Sequence, residues 1–408
     1  MEIEGSKSII NRVLIISSFL QKPLKIKNIS HCDDVQTLIE NLKIFGMKFE
    51  INEDKMLIIP TQKFENHQSY FIKDAGTAFR FLLAKFRTTS KFMGKMNISN
   101  QLKNRPIKPL TDLLEIDVFD YPFELLGKKI TKSHFEIKGD ISSQFISSLL
   151  LSVPNFPNDL QIIQKGKMVS QKYVDMTISI MNDFGIKVEK NGRNIFVKAG
   201  QNYKNLTTYE VEPDFSSACY FWAFSALTGK KIEIKTSVKK SIQPDFNFLQ
   251  ILGKMGAKIN FQNNVIWIEK DRLNGIEIDM STMPDQVPTL SILALFASSK
   301  TVIKNISHLQ FKESNRIENL IFELSKIGAK IVFQNGKLMI EPLNNILKNA
   351  KLKTFNDHRL VMSFHLLKAL IPNIQIENFN AENKSFPKFF EEFNKLLTQK
   401  DVIVKRKV

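Results

Sequence analysis

The sequence predicts an α/β (α+β) protein of two similar domains, each built from three βαβαββ repeat units. A short polar stretch followed by an apolar, helix-like segment occurs six times, and successive starts lie 67 to 74 residues apart along the 408-residue chain. In most units a second, amphipathic helical segment follows and leads through a glycine into an alternating strand. Such regular spacing indicates a repeated architecture, and six units of this length make two domains of three.

The first helical segment of each unit is apolar on nearly every face, so we expect it to be buried. The six segments are GSKSIINRVLIISSFL from Gly5, DAGTAFRFLLAKF from Asp74, ISSQFISSLLLSV from Ile141, DFSSACYFWAFSAL from Asp214, MPDQVPTLSILALFA from Met283 and DHRLVMSFHLLKAL from Asp357. If these helices are parallel within a domain, their N-termini converge on one surface. Helix N-termini carry partial positive charge and free N–H groups, so that surface suits phosphates.

The second helical segments end at a glycine that suits the left-handed position after a helix. Four segments show this pattern: VQTLIENLKIFGMKFEI at Gly46, YVDMTISIMNDFGIKVEK at Gly185, FNFLQILGKMGAKINF at Gly256 and IENLIFELSKIGAKIVF at Gly328. The strands that follow alternate, and Asn/Gly turns such as those in KINFQNNVIWIEK and KIVFQNGKLMIEP predict hairpins. The second unit lacks this glycine, and the sixth ends in FPKFFEEFNKLL.

The natural break between the domains lies near residues 209–213, between the third and fourth units. We expect residues 8–210 to form the N-terminal domain and residues 1–7 plus 211–408 to form the C-terminal domain. No linker rich in Pro, Gly or Ser is visible there, which favours a tight connection. The active site is expected in the cleft between the domains, where the positive helix ends of both would face each other.

Composition excludes several classes of protein. Apolar and charged contents of 43% and 24% are typical of a globular protein. The two cysteines, Cys32 and Cys219, form neither a disulfide framework nor a zinc motif, which fits a cytoplasmic protein. Glu2 and Glu4 argue against a signal peptide, and no apolar run approaches the length of a membrane span. The net charge of +17 is spread over scattered lysines, so we expect no nucleic-acid binding.

Cations and hydroxyls concentrate at the starts of the predicted buried helices, where acidic residues are normally favoured. Examples are Lys7, Ser8 and Arg12 in the first segment, and Gly76, Thr77 and Arg80 in the second. A single Ser or Thr at such a place is usually an N-cap, and a single Arg is usually a surface charge. Repetition of the pattern weakens these alternatives, because clustered cations repel each other unless an anion lies among them. His358 fits a catalytic base or a packed polar residue equally well, whereas Cys219 fits core burial.

Nine short motifs occur in the order and spacing of one enzyme family: GSKSIINR, DAGTAFR, NRPI, GDISSQF, EPDFSSA, MPDQVPT, FKESNR, FNDHR and KSFP. The chain resembles the 5-enolpyruvylshikimate-3-phosphate synthases (3-phosphoshikimate 1-carboxyvinyltransferases) over essentially its whole length. The resemblance implies an inside-out α/β barrel in each domain. It also implies transfer of the enolpyruvyl group of phosphoenolpyruvate to the 5-hydroxyl of shikimate 3-phosphate in the pathway to chorismate, with release of phosphate and without a metal or organic cofactor.

The resemblance also implies roles for individual residues. Lys7 would contact both substrates, Asp285 would take the hydroxyl proton with help from Lys312, and Glu313 would exchange the proton of the methylene carbon. The residues implied to bind shikimate 3-phosphate are Ser8, Arg12, Ser142, Ser143, Gln144, Ser170 and Tyr173, with His308 where the family usually has Asn. Those implied to surround phosphoenolpyruvate are Gly76, Arg105, Arg316, Arg359 and Lys384.

The sequence departs from the family pattern in three further respects. Asp74 replaces a common Asn, and we expect it to be the N-cap of the second buried helix. Phe81 replaces a frequent Pro beside the phosphoenolpyruvate residues. The chain begins about 15 residues later than is usual, so we expect the C-terminal domain to lack one initial strand.

Two other functions compete with this interpretation. One is UDP-N-acetylglucosamine enolpyruvyl transfer, whose enzymes usually carry a reactive Cys on a loop that does not correspond to Cys32. The other is a non-catalytic, nucleic-acid-binding relative of the same fold, which would not need Asp285 and Glu313 together with the full set of cations. We expect the protein to be a monomer.

Overall fold

The computed structural model describes residues 1–61, 63–139, 142–166, 168–236, 238–344, 350–371, 373–377 and 380–398. The chain divides into an N-terminal unit, Glu4–Glu212, and a C-terminal unit that joins Met1–Ile3 to Pro213–Val408. The predicted boundaries differ from these by two to four residues. Residues 4–6 belong to the N-terminal unit because the backbone of Gly5 donates to Ile29 and that of Ser6 donates to Glu212.

The N-terminal unit contains seven described α-helices and three sheets. The helices are α1 (Lys7–Ser17), α2 (Asp33–Ile44), α3 (Gly76–Thr88), α4 (Asn100–Lys103), α5 (Lys108–Leu113), α6 (Gln144–Leu151) and α7 (Gln171–Asp183). The strands are β1 (Leu24–Lys27), β2 (Lys48–Ile51), β3 (Lys55–Ile59), β4 (Gln68–Phe71), β5 (Met93–Asn97), β6 (Phe123–Leu126), β7 (His134–Lys138), β8 (Leu160–Lys165), β9 (Glu189–Asn191), β10 (Asn194–Val197) and β11 (Thr208–Glu210). The sheet orders are β11-β1-β3-β2, β4-β5-β6 and β7-β8-β10-β9.

The C-terminal unit repeats this organisation. Its described α-helices are α8 (Phe215–Thr228), α9 (Phe248–Lys254), α10 (Val287–Leu295), α11 (Arg316–Ser325), α12 (His358–His365) and α13 (Phe389–Thr398). The strands are β12 (Ile234–Lys235), β13 (Lys258–Gln262), β14 (Val265–Glu269), β15 (Glu277–Asp279), β16 (Thr301–Lys304), β17 (Ile331–Gln334), β18 (Lys337–Ile340), β19 (Lys351–Leu352) and β20 (Gln375–Ile376). They form sheets in the orders β12-β14-β13, β15-β16-β18-β17 and β19-β20.

The predicted first helices are confirmed as α1, α3, α6, α8, α10 and α12, and they are buried. Every residue of α8 between Ser217 and Leu227 is buried, because no face of this segment is polar enough to meet water. The four predicted glycines after second helices all have positive φ, between 83° and 108°. The second unit is irregular, as its missing glycine predicts: α5 has six residues, and a single strand, β6, follows it instead of a hairpin.

The strand that precedes α8 lies in the sheet of the N-terminal unit. β11 pairs in parallel with β1, in the register Lys25↔Thr208. The start of the chain makes the reciprocal contact: the Met1 amino group donates to the Glu233 carbonyl at 2.6 Å, and Lys235 donates to the Met1 carbonyl at 3.1 Å. The sheet next to Met1 has three described strands, β12 to β14. Met1–Ile3, which precede α1, therefore belong to the C-terminal unit, whereas β11, which precedes α8, belongs to the N-terminal unit.

The prediction that Asp74 caps the second buried helix is wrong. The helix begins at Gly76, Ala75 occupies the cap position, and no side chain makes a cap hydrogen bond there. A tight turn, in which the Gly76 N–H donates to the Asp74 carbonyl, precedes the helix. The carboxylate instead accepts a hydrogen bond from the Ser99 hydroxyl, and Ser99 itself caps α4.

Lys85 is buried near the C-terminal end of α3, where its ammonium group lies over two aromatic rings. Its Nζ lies 3.3 Å from the centroid of the Phe19 ring and 5.7 Å from that of Phe45. A cation–π contact favours the charged form, but burial lowers the pKa of Lys85 to about 7. The folded unit therefore binds this proton less tightly than the unfolded chain does.

We expect Lys85→Met to stabilise the N-terminal unit by about 2–4 kcal/mol at pH 7. In the wild type the penalty for a charged Lys85 is full below pH 7 and disappears as the pH rises toward about 10.4, the unfolded-state pKa. The gain should therefore shrink between pH 7 and pH 10. Calorimetric unfolding at pH 6, 8 and 10 measures it, with exposed Lys43→Met on α2 as the control. If the stability gained by Lys85→Met does not change with pH, the lowered pKa of Lys85 is contradicted.

Candidate functional site

Lys7 begins α1 and is fixed by an acidic partner from the next helix. Its Nζ lies 2.9 Å from Asp34 Oδ2, and the side chains are only 12% and 6% exposed. Asp34 belongs to the first turn of α2, where a carboxylate also interacts favourably with the helix dipole. Asp34 is not among the site residues predicted from the sequence. The two aspartates of HCDD, Asp33 and Asp34, indicate the start of a helix. Nothing in the sequence indicates that Asp34 pairs with Lys7.

Arg12 connects α1 to α7 inside the N-terminal unit. Its Nε donates to Thr177 Oγ1 at 2.7 Å, and its terminal nitrogens donate to the carbonyls of Ser8 at 2.6 Å and Tyr173 at 3.2 Å. The guanidinium carbon lies 5.4 Å from the centre of the Phe81 ring. Burial lowers the pKa of Arg12 to about 9. Since these acceptors are all neutral, an anion next to Arg12 would relieve an unfavourable buried charge.

Arg80 contacts a second group of predicted residues at the start of α3. It donates to Gln144 Oε1 at 2.8 Å, to the Gly76 carbonyl at 3.1 Å and to the Pro106 carbonyl at 2.9 Å. A Cβ atom on Gly76 would lie 2.5 Å from Arg105 Nη1, so only glycine lets this guanidinium approach the helix end so closely. The sequence predicts no individual role for Arg80. In the structure it donates to Gly76 and Gln144, and its guanidinium lies beside Gly76 together with that of Arg105.

The predicted serines lie at the starts of α6 and α7. Ser143 and Ser170 occupy the N-cap positions, yet neither hydroxyl caps its helix in the described structure. Ser170 adopts a left-handed conformation with φ of 55°, which is uncommon for serine. Ser142 Oγ accepts a 3.2 Å hydrogen bond from the Gln144 N–H. Ordinary capping therefore does not account for Ser143 and Ser170, and their hydroxyls lie where helix N-termini favour an anion.

In the C-terminal unit Arg316 joins three carboxylates. Its Nε and Nη2 donate to Asp357 at 2.8 and 3.2 Å, Nη1 donates to Asp285 Oδ1 at 3.0 Å, and Nη2 donates to Glu313 Oε2 at 2.8 Å. Its side chain is 1% exposed, and that of Asp357 is fully buried. Two predicted acid/base residues thus contact one guanidinium. Asp357 was missed as a site residue because an Asp before a helix looks like an ordinary N-cap, which it also is.

Asp285 faces three cations. Its carboxylate oxygens lie 3.0 Å from Arg316 Nη1, 3.2 Å from Arg359 Nη2 and 3.8 Å from Lys312 Nζ. Burial would raise the pKa of Asp285, but Arg359, Lys312 and Arg316 hold it well below its usual value. In this state Asp285 is a firmly ionised anion and a weak base.

Arg359 is shared between Asp285 and a buried tyrosine of α8. Its Nη1 donates to the Tyr220 hydroxyl at 3.2 Å. The Tyr220 ring packs edge-on against Phe389 with 5.8 Å between centroids, which fixes the position of the hydroxyl. Burial raises the pKa of Tyr220 to about 12, so the hydroxyl stays neutral. Tyr220 lies within the apolar run of SSACYFW, and nothing in that pattern distinguishes it from a core aromatic.

A further carboxylate, Asp245, lies close to this cluster. Its Oδ2 accepts from the Ser216 hydroxyl and, at 3.2 Å, from Gln286 Nε2, whereas Oδ1 is buried without a hydrogen-bond partner among the described residues. Burial and the nearby charge of Asp285 raise the pKa of Asp245 to about 6, although Arg359 acts in the opposite direction. Asp245 is not among the site residues predicted from the sequence.

Two predicted residues, His308 and Lys384, remain to be placed in the C-terminal unit. His308 is 4% exposed, and burial next to Lys312 lowers its pKa to about 3, so it is neutral at physiological pH. Within the described residues its Nε2 has no hydrogen-bond partner. Lys384 is half-buried at the end of a short 3₁₀ turn, Ala381–Lys384.

Both cysteines are fully buried. The Cys219 thiol lies 3.5 Å from the Asp245 carbonyl, and burial raises the pKa of each thiol, to about 11 for Cys32. These are properties of unreactive core cysteines.

Comparison with known proteins gives one consistent result. The family model described as EPSP synthase (3-phosphoshikimate 1-carboxyvinyltransferase) matches residues 1–393. A 3-phosphoshikimate 1-carboxyvinyltransferase of Haemophilus influenzae (strain PittGG) is 36% identical over 97% of this chain and 96% of its own. One of Buchnera aphidicola subsp. Cinara cedri is 35% identical over 96% and 93%. The chain belongs to the EPSP synthase family.

Solved structures agree with this assignment at the level of the fold. An EPSP synthase from Acinetobacter baumannii has a TM-score of 0.79 at 19% identity, covering 97% of this chain and 94% of that one. The enolpyruvyl transferase NikO from Streptomyces tendae has a TM-score of 0.75 at 12% identity over the same shares. The predicted fold, two domains that are each an inside-out α/β barrel, is confirmed, as is the prediction of an enolpyruvyl transferase.

We expect His308→Asn to make the protein less sensitive to acid. Because the folded-state pKa of about 3 lies below the unfolded value of about 6.5, the wild type loses stability as the pH falls below about 6.5. Relative to the variant, that loss should reach about 2 kcal/mol at pH 5. Urea unfolding at pH 7, 6 and 5 measures it, and His67→Asn, at an exposed position, is the control. Parallel pH curves for His308→Asn and the wild type would show that His308 titrates normally.

Proposed function

We propose that this chain transfers the enolpyruvyl group of phosphoenolpyruvate to the 5-hydroxyl of shikimate 3-phosphate and releases inorganic phosphate. Membership of the EPSP synthase family fixes the class of reaction. The observation that supports the chemistry best is the contact of both Asp285 and Glu313 with the Arg316 guanidinium, at 3.0 and 2.8 Å. Addition followed by elimination needs a general acid and a general base beside groups that bind anions, and two carboxylates in different environments can take these two tasks.

The N-terminal unit supplies groups suited to shikimate 3-phosphate. Arg12 is buried among neutral acceptors, and the serine hydroxyls at the starts of α6 and α7 offer neutral donors. In our proposal these groups and Ser142 hold the phosphate, while Gln144 and Tyr173 contact the ring. Lys7, kept in place by Asp34, contacts both substrates. Gly76 and Arg105 contribute to binding phosphoenolpyruvate, since glycine allows a guanidinium to approach the end of α3.

The C-terminal unit supplies the acid/base groups and further cations. Asp285 accepts the proton of the 5-hydroxyl, whose oxygen bonds to C2 of phosphoenolpyruvate, while Glu313, in its protonated form, gives a proton to the methylene carbon. Glu313 then takes a proton back from the resulting methyl group, the bond from C2 to the phosphate oxygen breaks, and phosphate leaves with the proton that Asp285 had accepted. Arg316, Arg359 and Lys384 neutralise the charge of phosphoenolpyruvate, and Lys312 assists Asp285. His308 contacts shikimate 3-phosphate as a neutral imidazole.

The competing functions are not favoured. A UDP-N-acetylglucosamine enolpyruvyl transferase usually needs a reactive cysteine, whereas Cys32 and Cys219 are buried. None of the helices in the described part of the chain has the length and apolar character needed to cross a bilayer. The cytoplasmic location, the monomeric state, the lack of nucleic-acid binding, the lack of a cofactor and the interdomain position of the active site stay predictions.

Phosphate release from shikimate 3-phosphate plus phosphoenolpyruvate tests the proposal. We expect turnover only when both substrates are present. Turnover with UDP-N-acetylglucosamine in place of shikimate 3-phosphate would favour the alternative enzyme.

We expect Glu313→Gln to lower kcat at least about a hundredfold, because general acid/base groups typically contribute 10²–10⁴-fold. The amide keeps the shape of the side chain and an acceptor for Arg316, so substrate affinities should change far less. Glu318→Gln removes an exposed carboxylate from the first turn of α11 and is the matched control. Near-normal kcat in Glu313→Gln would remove this residue from its assigned role.

A further inference from the structure

The carboxylate of Asp285 occupies, in this structure, the place that an anionic substrate is expected to take. It is hydrogen-bonded to both Arg316 and Arg359, the arginines assigned to phosphoenolpyruvate. These two guanidiniums are almost completely buried, and each donates to Asp285 through a terminal nitrogen. A carboxylate that pairs with them competes for the N–H groups that bind carboxylate or phosphate best.

We propose that phosphoenolpyruvate displaces Asp285 from Arg316 and Arg359, so that the base is released only when the substrate anion has bound. The proposal rests on the function proposed above. Paired with three cations, Asp285 holds its charge too firmly to accept a hydroxyl proton efficiently. Once an anion satisfies the two arginines, Asp285 keeps Lys312 as its cationic neighbour and its basicity rises.

Each arginine has a second anchor that does not depend on Asp285. Arg316 keeps two hydrogen bonds to Asp357, and Arg359 keeps its hydrogen bond to Tyr220. The guanidiniums can therefore exchange one anion for another without leaving their positions. Tyr220 is thus a positioning residue for Arg359, because its hydroxyl remains as an acceptor after Asp285 has moved.

The charge balance explains why displacement is needed. The positive charges of Lys312, Arg316 and Arg359 are matched by the carboxylates of Asp285, Glu313 and Asp357. Asp245 lies close enough to interact with Asp285 and Arg359. A substrate anion that approached Arg316 and Arg359, whose charges are already paired, would gain little unless one carboxylate gave up its contacts. Asp285 is the most exposed of the three paired carboxylates, at 24%, and has the most room to move.

Titration calorimetry of phosphoenolpyruvate into the full-length protein, without shikimate 3-phosphate, tests the exchange. We expect Asp285→Asn to bind phosphoenolpyruvate at least tenfold more tightly than the wild type, although it loses turnover. Asp245→Asn is the matched control. It removes the same charge from the same neighbourhood, but Asp245 has no described hydrogen bond to either arginine. Its buried Oδ1 has no described partner, so an amide nitrogen fits there without loss of an acceptor.

The comparison separates direct competition from a general effect of charge. A Kd that falls tenfold in Asp285→Asn and less than threefold in Asp245→Asn supports the exchange. Equal tightening in both, or none in Asp285→Asn, overturns it. If the wild type releases no phosphate from the two substrates, the proposed function fails whatever the Kd values are. Circular dichroism checks that each variant is folded.

Tyr220→Phe tests the anchor with Asp285 intact. We expect the Kd and KM for phosphoenolpyruvate to rise three- to tenfold, with the KM for shikimate 3-phosphate unchanged. The control is Tyr203→Phe, which loses a buried tyrosine hydrogen bond of 3.1 Å to the Leu151 carbonyl in the N-terminal unit. Equal effects on both substrates, or no effect, would mean that Tyr220 is a structural residue only.

Discussion

A buried guanidinium must be matched by acceptors, and this requirement organises the helix starts of both units. In the C-terminal unit Arg316 is 1% exposed and can stay ionised only because carboxylates from three chain segments converge on it. Arg12 and Arg80 have the same effect in the N-terminal unit, where they connect α1 with α7 and α3 with α6. The polar ends of the apolar helices are thereby held in place by hydrogen bonds to guanidinium groups as well as by packing, with ion pairs added in the C-terminal unit.

The sequence contained enough to predict the fold because its signals were local and repeated. Runs such as FSSACYFWAFSAL have no polar face and can form only buried helices. The glycines at 46, 185, 256 and 328 ended helices as expected, because few other residues adopt positive φ without strain. The second unit was harder to predict, since no glycine marks the boundary between its short helix α5 and its single strand β6.

The site could be predicted only in part, for a physical reason. Residues at the starts of buried helices were recognisable because cations there are unusual and because nine motifs matched a family. Partners such as Asp34 and Tyr220 were not recognisable, since their roles arise from distant segments that meet in space. The capping prediction for Asp74 was wrong because the tight turn before α3 makes Ala75, not Asp74, the cap residue.

The pairing of β11 with β1 has a consequence for how the protein is made. During synthesis, β1 emerges about 180 residues before the strand that covers its edge. Until then its backbone groups are exposed to pairing with other chains, as in any open edge strand. The first half of the polypeptide therefore cannot complete its fold when it leaves the ribosome, but must wait for Thr208–Glu210. A chain that ends just before Thr208 leaves this edge of β1 unpaired. A chain that ends after Glu212 contains β11, the strand that pairs with β1.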